Sequence, residues 1–415
     1  MTSMPNLPVF QQLADIAQQH GTPLWCYDAQ TIRARIDQLQ GFDVIRYAQK
    51  ACSNLHILRL MREQGVRVDA VSLGEIERAL LAGYSPAGDP AGIVFTCDLF
   101  DEATLRRVVE LNVEVNTGSI DMLRQLGEKS AGHRVWLRIN PGFGHGHSRK
   151  TNTGGKNSKH GIWHDQVQEA LGVIRHYGLK LVGLHMHIGS GVDYTHLEQV
   201  SSAMVTAVKT LDHDIEAFSI GGGLSTPCRA QEEPVDIQRY ALTWRQAKQS
   251  IEDWLAHPVR MEIEPGRFLV AESGYLVTEV RAVKQIDSRH FILVNAGFND
   301  LMRPALYGAY HHITLLDSQG TPISRPQHLS VVGGPLCESG DVLTQDEQGI
   351  TPRLLPAAQV GDLLIIHDTG AYGASMSSNY NSRTLLAEVL IEQGQTTLIR
   401  REQPLSDLLA LELGL

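Results

Sequence analysis

Four groups of residues suit chemistry on an amine or a carbonyl compound. Lys50 closes a β-branched run, His187 lies in the motif His-Met-His-Ile-Gly-Ser, glycines follow one another at Gly221–Gly223, and Glu264 precedes Pro-Gly-Arg. A buried lysine with a lowered pKa forms an imine with an aldehyde. Glycine N–H groups bind a phosphate, and a carboxylate keeps a pyridine nitrogen protonated. Together these groups predict a site for pyridoxal phosphate (PLP), with the imidazole against its ring.

Each group also has a simpler interpretation when it is considered alone. Lys50 suits a solvated loop, the glycines at 221–223 suit a tight turn, and Glu264 suits the cap of the following turn. His185 and His187 suit a packed core in which their nitrogens are satisfied. The set forms one site only if the fold brings all four groups to the same place.

The elements that carry these groups alternate between short apolar runs and amphipathic helices. At residues 74–82, for example, Ile76, Ala79 and Leu80 share one face of a predicted helix that ends at Gly83. The predicted strands are 44–50, 68–72, 93–98, 113–119, 134–140, 181–188, 217–223 and 259–264. Such alternation predicts a closed (β/α)8 barrel of the TIM type, with its active site at the carboxyl ends of the strands. The alternative is an open doubly wound sheet, whose usual Gly-x-Gly-x-x-Gly turn this sequence lacks.

From about Tyr275 the pattern changes to strands without long helices between them. These predicted strands are 275–284, 290–295, 312–316, 329–332, 363–367 and 386–391. They predict a mostly antiparallel β-domain. We expect the barrel to span residues 29–274, and the β-domain to span 275–415 together with 1–28, in which 23–27 form a short strand.

The composition argues against several classes of protein. The 415 residues carry a formal net charge of -10, which disfavours nucleic acid as a partner. No apolar run approaches the roughly 20 residues of a membrane span, and the N-terminus lacks a signal-peptide pattern. The five cysteines are scattered without a Cys-x-x-Cys pair, so we expect reduced thiols and no metal site. A cytoplasmic protein that binds neither nucleic acid nor membrane is expected.

Six motifs in order along the chain resemble the fold-type III PLP-dependent decarboxylases. They are Lys50 with Asp69 and Glu75, and the segments 185–190, 221–223, 264–267, 334–338 and 370–373. The resemblance extends from about Pro23 to the C-terminus and implies a homodimer with shared active sites. Alanine racemase has the same fold, but racemase-like members place an arginine against the pyridine nitrogen. Glu264 at the matching position favours loss of carbon dioxide.

The resemblance implies a role for each residue that matches these motifs. Lys50 carries the cofactor as a Schiff base, His187 stacks on its ring, and Glu264 holds its pyridine nitrogen. Cys337 resembles the cysteine that reaches into the partner subunit's site and reprotonates the intermediate. The residues expected around the phosphate or beside it are Ser190, Gly221, Gly222, Gly223, Gly266, Arg267 and Tyr372.

The segment that contains Arg303 and Tyr307 resembles the one that selects diaminopimelate. It places both residues for a distal carboxylate, which a guanidinium fork suits, and Glu338 would bind the distal ammonium. Arg267 and Tyr372 are also expected beside the substrate. A substrate without that carboxylate would leave Arg303 unpaired in a dry site. The expected reaction converts meso-2,6-diaminopimelate to L-lysine; the alternative substrate is another basic amino acid, such as ornithine or arginine.

Two further alternatives concern histidines and lost activity. A metal-dependent barrel hydrolase would use the histidines at His145, His147, His160, His185 and His187. That alternative leaves Lys50 and the glycine triplet without a function. A relative that binds a protein partner without catalysis would lack Lys50, Glu264 or Cys337, and all three are present.

One long loop and three departures complete the sequence-based expectations. Residues 143–164, rich in Gly, His, Lys and Ser, are long for a barrel loop and predict a mobile lid or, alternatively, a disordered surface loop. Gln49, Cys52 and Asn295 differ from residues that are common in the family. No role is assigned to them.

Overall fold

The chain divides into two compact units. The computed structural model describes residues 7–144, 153–187, 189, 191, 193–229 and 231–413. One unit, here called the barrel unit, comprises Arg35–Ser225 and Pro234–Leu269. The other, the sheet unit, comprises Met1–Ala34, Thr226–Glu233 and Val270–Leu415. The boundaries predicted at residues 29 and 274 stay a prediction.

The barrel unit contains eight parallel strands that close on themselves. They are Val44–Ala48, Arg67–Ala70, Ile93–Cys97, Glu114–Thr117, Arg134–Asn140, Lys180–His185, Ala217–Ser219 and Arg260–Ile263. Each strand pairs with the next, and the last pairs with the first. Strands of a closed parallel barrel are covered on both faces, which explains why they appear in the sequence as short apolar runs. The predicted (β/α)8 barrel is confirmed.

Helices follow the strands, and side-chain caps determine where several of them begin. The Ser72 hydroxyl accepts a hydrogen bond from the N–H group of Glu75 at the start of Leu73–Leu81, whose buried face includes Ile76 and Ala79. The longer helices after the first barrel strand are Leu55–Glu63, Leu73–Leu81, Glu102–Leu111, Ile120–Lys129, Val167–Tyr177, Tyr194–Thr210 and Ile237–Leu255. A short helix, Arg267–Val270, follows the last strand.

Seven of the eight barrel strands end earlier than the sequence predicts, Arg134–Asn140 ends where predicted, and the candidate residues lie just beyond the strand ends. Lys50 lies in a 3-10 turn, Gln49–Ala51, after the first strand. His187 follows the sixth strand, Gly221 the seventh and Glu264 the eighth. The predicted strands were too long because glycine and polar residues let the chain leave the sheet at these points. The chemical groups therefore occupy the connections at the carboxyl ends of the barrel strands.

The sheet unit contains a nine-stranded sheet in which most neighbours are antiparallel. Its strands are Leu24–Asp28, Gly274–Ile286, Arg289–Val294, Ile313–Leu316, Gln327–Gly333, Arg353–Pro356, Leu363–Ile366, Glu388–Glu392 and Gln395–Arg400. Leu24–Asp28 pairs antiparallel with Gly274–Ile286 and parallel with Glu388–Glu392. Arg289–Val294 and Gln327–Gly333 form the other parallel pair. The predicted mostly antiparallel β-domain is confirmed.

The sheet unit also contains elements that the sequence analysis did not predict. Helix Leu7–His20 buries Phe10, Leu13 and Ile16 in one cluster with Val277 of the sheet. Other elements of this unit are the hairpin of Gln345–Asp346 and Gly349–Ile350 and the helices Arg303–Tyr307 and Leu405–Leu409, while helix Ala29–Asp37 includes residues of both units. In the barrel unit, the additional strand Ile162–Trp163 pairs parallel with Arg134–Asn140. Within the described ranges, no helix is long and apolar enough to cross a membrane.

Candidate active site

Lys50 stands beside two carboxyl groups at the carboxyl end of the first barrel strand. Its side chain is exposed, so the expectation of a buried lysine is wrong. Burial and the charge of Glu264 raise the pKa of Asp69 well above its ordinary range, while a hydrogen bond with Thr96 and the charge of Lys50 oppose that effect. Burial likewise raises the pKa of Glu75, against a hydrogen bond from the backbone and the charge of Lys50. The lysine thus faces carboxyl groups that hold protons more readily than usual.

Glu264 is a buried carboxylate that the protein keeps ionised. Its Oε2 atom is 2.8 Å from Nε2 of His185, and its Oε1 atom accepts a hydrogen bond of 2.7 Å from the Ser219 hydroxyl. Burial alone raises the pKa of Glu264, but the interaction with His185, the hydrogen bonds and the charge of Arg46 outweigh burial and hold that pKa at about 2. A negative charge is therefore fixed at the mouth of the barrel at neutral pH.

His187 presents a neutral imidazole in the same place. Burial lowers the pKa of His187 well below its ordinary value, and the positive charges of Arg138 and Lys50 lower it further. Its Nδ1 atom accepts a hydrogen bond of 3.2 Å from the N–H group of Gly222. An acceptor at Nδ1 leaves any ring proton on Nε2, which fixes the tautomer.

The glycine triplet allows these groups to come close together. Gly221 and Gly223 have φ angles of +65° and +102°, which side chains rarely adopt. A Cβ atom on Gly222 would lie 2.4 Å from the carbonyl oxygen of Glu264, and one on Gly221 would lie 2.5 Å from Cβ of His187. The N–H groups of Gly221 and Gly222 already donate to Ser219 and His187. The triplet therefore joins the seventh strand to the imidazole and the carboxylate.

Some of the remaining candidate residues of the barrel unit lie outside the described residues. Ser190 lies outside the described residues, as does the segment 145–152 of the predicted lid. Gly266 is buried, and Arg267 is half-buried at the start of Arg267–Val270. The structure thus brings Lys50, His187, the glycine triplet and Glu264 together as the sequence predicts, with Gly266 and Arg267 two and three residues after Glu264 along the chain.

The sheet unit carries the other predicted residues. Arg303 begins helix Arg303–Tyr307 and is 7% exposed, and Tyr307, which ends the helix, is half-buried. Cys337 is exposed, and its N–H group donates to the side chain of Asn381. The exposed Glu338 accepts a hydrogen bond from Gly340. Tyr372 is half-buried with a φ angle of +59°.

Two polar residues at strand ends anchor the described part of the predicted lid, and sequence analysis missed both. The side chain of Asn140 accepts hydrogen bonds from Gly142 and Gly155 and donates to the carbonyl oxygen of His160. Asp98 accepts a hydrogen bond of 2.7 Å from the His160 ring. Sequence analysis also assigned no role to Ser219, or to the contact of His185 with the carboxylate. The available signal for Asn140 and Asp98 was their position at the carboxyl ends of predicted strands, whereas Ser219 and His185 lie inside the predicted strands 217–223 and 181–188.

In the described part of the chain, no three or more His, Cys, Asp or Glu side chains form a cluster that could hold a metal ion. His185 contacts Glu264 and His160 contacts Asp98, each as a pair. His145 and His147 lie outside the described residues. The groups at the barrel mouth are thus an amine, a neutral imidazole and carboxyl groups in different protonation states.

The chain matches a known family over its barrel. The model of the family "Pyridoxal-dependent decarboxylase, pyridoxal binding domain" matches residues 30–271. The diaminopimelate decarboxylase of Escherichia coli K12 is 62% identical over 405 residues, which cover 97% of this chain and 96% of that protein. The diaminopimelate decarboxylase of Streptomyces coelicolor is 61% identical over 403 residues, which cover 97% of this chain and 92% of that protein.

Solved structures of diaminopimelate decarboxylases are similar to this chain over nearly its whole length. A crystal structure of a diaminopimelate decarboxylase has a TM-score of 0.95 at 62% identity, and covers 97% of this chain and 96% of that one. The diaminopimelate decarboxylase of Helicobacter pylori complexed with L-lysine has a TM-score of 0.86 at 32% identity, with coverage of 96% and 98%. Both units of this chain therefore have a counterpart of known fold.

Proposed function

We propose that this chain, which belongs to the family of pyridoxal-dependent decarboxylases, removes one carboxyl group of meso-2,6-diaminopimelate and forms L-lysine and carbon dioxide. The cofactor is pyridoxal phosphate. The observation that carries the proposal is the buried, ionised carboxylate of Glu264 at the mouth of the barrel. Relatives of 62% identity over 97% of the chain are diaminopimelate decarboxylases.

The residues at the barrel mouth fit this cofactor. Lys50 supplies an exposed amine to hold the aldehyde carbon, and the neutral imidazole of His187 suits the face of the ring. Added Cβ atoms on Gly222 and Gly223 would lie 3.8 Å and 3.7 Å from Cε1 of His187, so bare glycine backbone borders the imidazole.

Glu264 sets the protonation state of the cofactor. An ionised carboxylate favours a proton on the pyridine nitrogen, and the hydrogen bonds with His185 and Ser219 keep Glu264 ionised. When bound, the cofactor would supply a ring that accepts electrons during loss of the carboxyl group, and Glu264 would hold the proton on its pyridine nitrogen. Lys50 lies near Asp69, whose raised pKa suits a group that exchanges a proton with an amine.

We assign the phosphate of the cofactor to backbone groups and side chains near the carboxyl ends of the barrel strands. Gly221 and Gly222 use their N–H groups within the protein. Within the triplet, we therefore place the phosphate beside Gly223. Gly266, Arg267, Ser190 and Tyr372 complete this assignment, which rests on the family resemblance. Arg267 and Tyr372 would also border the substrate.

The sheet unit carries the residues proposed for the distal end of the substrate. Arg303 binds the distal carboxylate with Tyr307, and Glu338 binds the distal ammonium. The burial of Arg303 supports this assignment, because a guanidinium held away from water binds a carboxylate more strongly than an exposed one does. Cys337, which is exposed, returns a proton to the reacting carbon.

A homodimer and a cytoplasmic location are part of this proposal. The homodimer follows from the family resemblance, in which Cys337 serves the partner subunit's site. The exposure of Cys337 and Glu338 in the single chain is consistent with a place at a subunit contact. Analytical ultracentrifugation of the purified protein tests the assembly, with a sedimenting mass of twice the 45.8 kDa chain expected.

The function is tested by incubating purified protein and PLP with meso-diaminopimelate and, in parallel, with ornithine. Release of carbon dioxide with an equal amount of lysine, from diaminopimelate alone, is the expected result. Turnover of ornithine instead would keep the barrel site but contradict the roles of Arg303 and Glu338. Turnover of neither substrate would contradict the proposed reaction.

A further inference from the structure

The segment that follows helix Arg303–Tyr307 places a buried histidine against the arginine of that helix. His311 is 3% exposed, and its Nε2 atom lies 3.3 Å from Nε of Arg303. We propose that His311 is a positioning residue that orients the Arg303 guanidinium for the distal carboxylate of the substrate. The inference rests on the proposed function, since it assigns a cause to the selectivity of that site.

The hydrogen bonds of His311 specify its tautomer. Its Nδ1 atom is 2.9 Å from the carbonyl oxygen of His367. A carbonyl oxygen only accepts, so Nδ1 carries a proton and donates it. The Nε atom of Arg303 only donates, so Nε2 of His311 must present a lone pair. His311 is therefore neutral, with its proton on Nδ1.

This tautomer fixes the plane of the guanidinium. A guanidinium is flat, so an acceptor that holds its Nε–H group also sets the direction of its two terminal nitrogens. Those two nitrogens form the fork that binds a carboxylate in a bidentate manner. Arg303 is 7% exposed, and its orientation is set before the substrate arrives. Pre-orientation lowers the entropy lost on binding and makes the site selective for a planar anion.

A second set of contacts holds His311 itself. The guanidinium of Arg353 donates to the carbonyl oxygen of His311. The Cζ atom of Arg353 lies 4.1 Å from the centroid of the Tyr310 ring, and that of Arg229 lies 4.7 Å from the same centroid. Cation–π contacts of this kind hold the backbone at residues 310 and 311. The backbone of His311, the tautomer of its imidazole and the position of its acceptor atom are thus all fixed.

Two substitutions at His311 separate orientation from packing. In His311→Asn, the amide reaches the position of Nδ1 and keeps a donor to the His367 carbonyl, but no acceptor reaches Arg303. In His311→Gln, the amide oxygen reaches the position of Nε2 and keeps the acceptor for Arg303, whereas the donor to His367 is lost. His312→Asn, at the half-buried neighbour, is the matched control.

Steady-state kinetics with meso-diaminopimelate give the decisive comparison. We expect His311→Asn to raise KM about tenfold, the effect of one lost hydrogen bond to a charged group, with a smaller change in kcat. We expect His311→Gln and His312→Asn to keep KM within about twofold, and PLP affinity to stay constant in all three variants. A KM raised equally in His311→Asn and His311→Gln would show only lost packing and would overturn the inference. A wild-type KM in His311→Asn would overturn it as well.

A double substitution separates this inference from the proposed function. If Arg303→Ala raises KM, the addition of His311→Asn to that variant is expected to raise KM no further, because both act through one guanidinium. Independent effects that multiply would overturn the role of His311 alone. A wild-type KM in Arg303→Ala would remove the substrate role of Arg303 and, with it, the inference. A wild-type protein that forms no lysine would instead overturn the proposed function.

Discussion

Removal of His185 tests how the protein keeps Glu264 ionised. The pKa of about 2, against an ordinary value of 4.5, corresponds to about 3 kcal/mol at about 1.4 kcal/mol for each pH unit. A depressed pKa adds stability above about pH 4.5, and that stability is lost as the pH falls toward 2. In His185→Leu one charge-assisted hydrogen bond is lost, which is worth about 1.5–3 kcal/mol. At about 1.4 kcal/mol for each pH unit, this loss raises the pKa of Glu264 by about one to two pH units.

The consequence is a change in how decarboxylation depends on pH. We expect the acid side of the kcat profile of His185→Leu to move about one to two pH units toward neutral pH, with kcat near pH 8 within about twofold of wild type, because a protonated Glu264 no longer holds a proton on the pyridine nitrogen. His185→Gln, whose amide can still donate to the carboxylate, should move the profile less. His176→Leu, at an exposed histidine of the same unit, serves as control. An acid side of the kcat profile that stays at the wild-type pH in His185→Leu would refute this reasoning.

Three further substitutions test separate parts of the account. Lys50→Ala should abolish both lysine formation and the visible absorbance of the bound cofactor, measured on dialysed protein; retained absorbance would place the cofactor on another amine. Arg303→Ala should raise KM for diaminopimelate about 10- to 100-fold without changing PLP affinity, measured by fluorescence titration; an equal loss of PLP affinity would contradict its role. Arg46→Met removes the ion-pair partner of the buried Glu262 at 2.9 Å and leaves Arg260 at 3.8 Å. It should lower the free energy of unfolding in urea by about 3–5 kcal/mol, and Glu262→Leu in the same chain should restore part of it.

The barrel could be predicted because its strands are buried on both faces. Each strand appears as a short apolar run, and each run is separated from the next by a helix. The ends of the strands could not be predicted in the same way, since the point where a chain leaves a sheet depends on backbone contacts. The carbonyl oxygen of Gly221, for example, accepts a hydrogen bond from the N–H group of Glu264, which lies far along the sequence.

The elements of the site were visible in the sequence, but their electrostatic states were not. Glu264 and His187 lie at the carboxyl ends of predicted strands, whereas the contact of Glu264 with His185 joins residues that are distant in sequence. The exposure of Lys50 was missed, because the assumption of a buried amine came from the chemistry rather than from any pattern. Helix Leu7–His20 was missed although Phe10 and Leu13 have helical spacing.

Lys50 at the mouth of the barrel is the residue that we propose holds the cofactor. Borohydride reduction of the holoenzyme, followed by proteolysis and mass spectrometry, attaches the cofactor irreversibly to whichever amine holds it. One modified peptide, which contains Lys50, is expected, with loss of lysine formation in proportion to the modification. A modified peptide without Lys50, or full activity after complete modification, would contradict this role of Lys50.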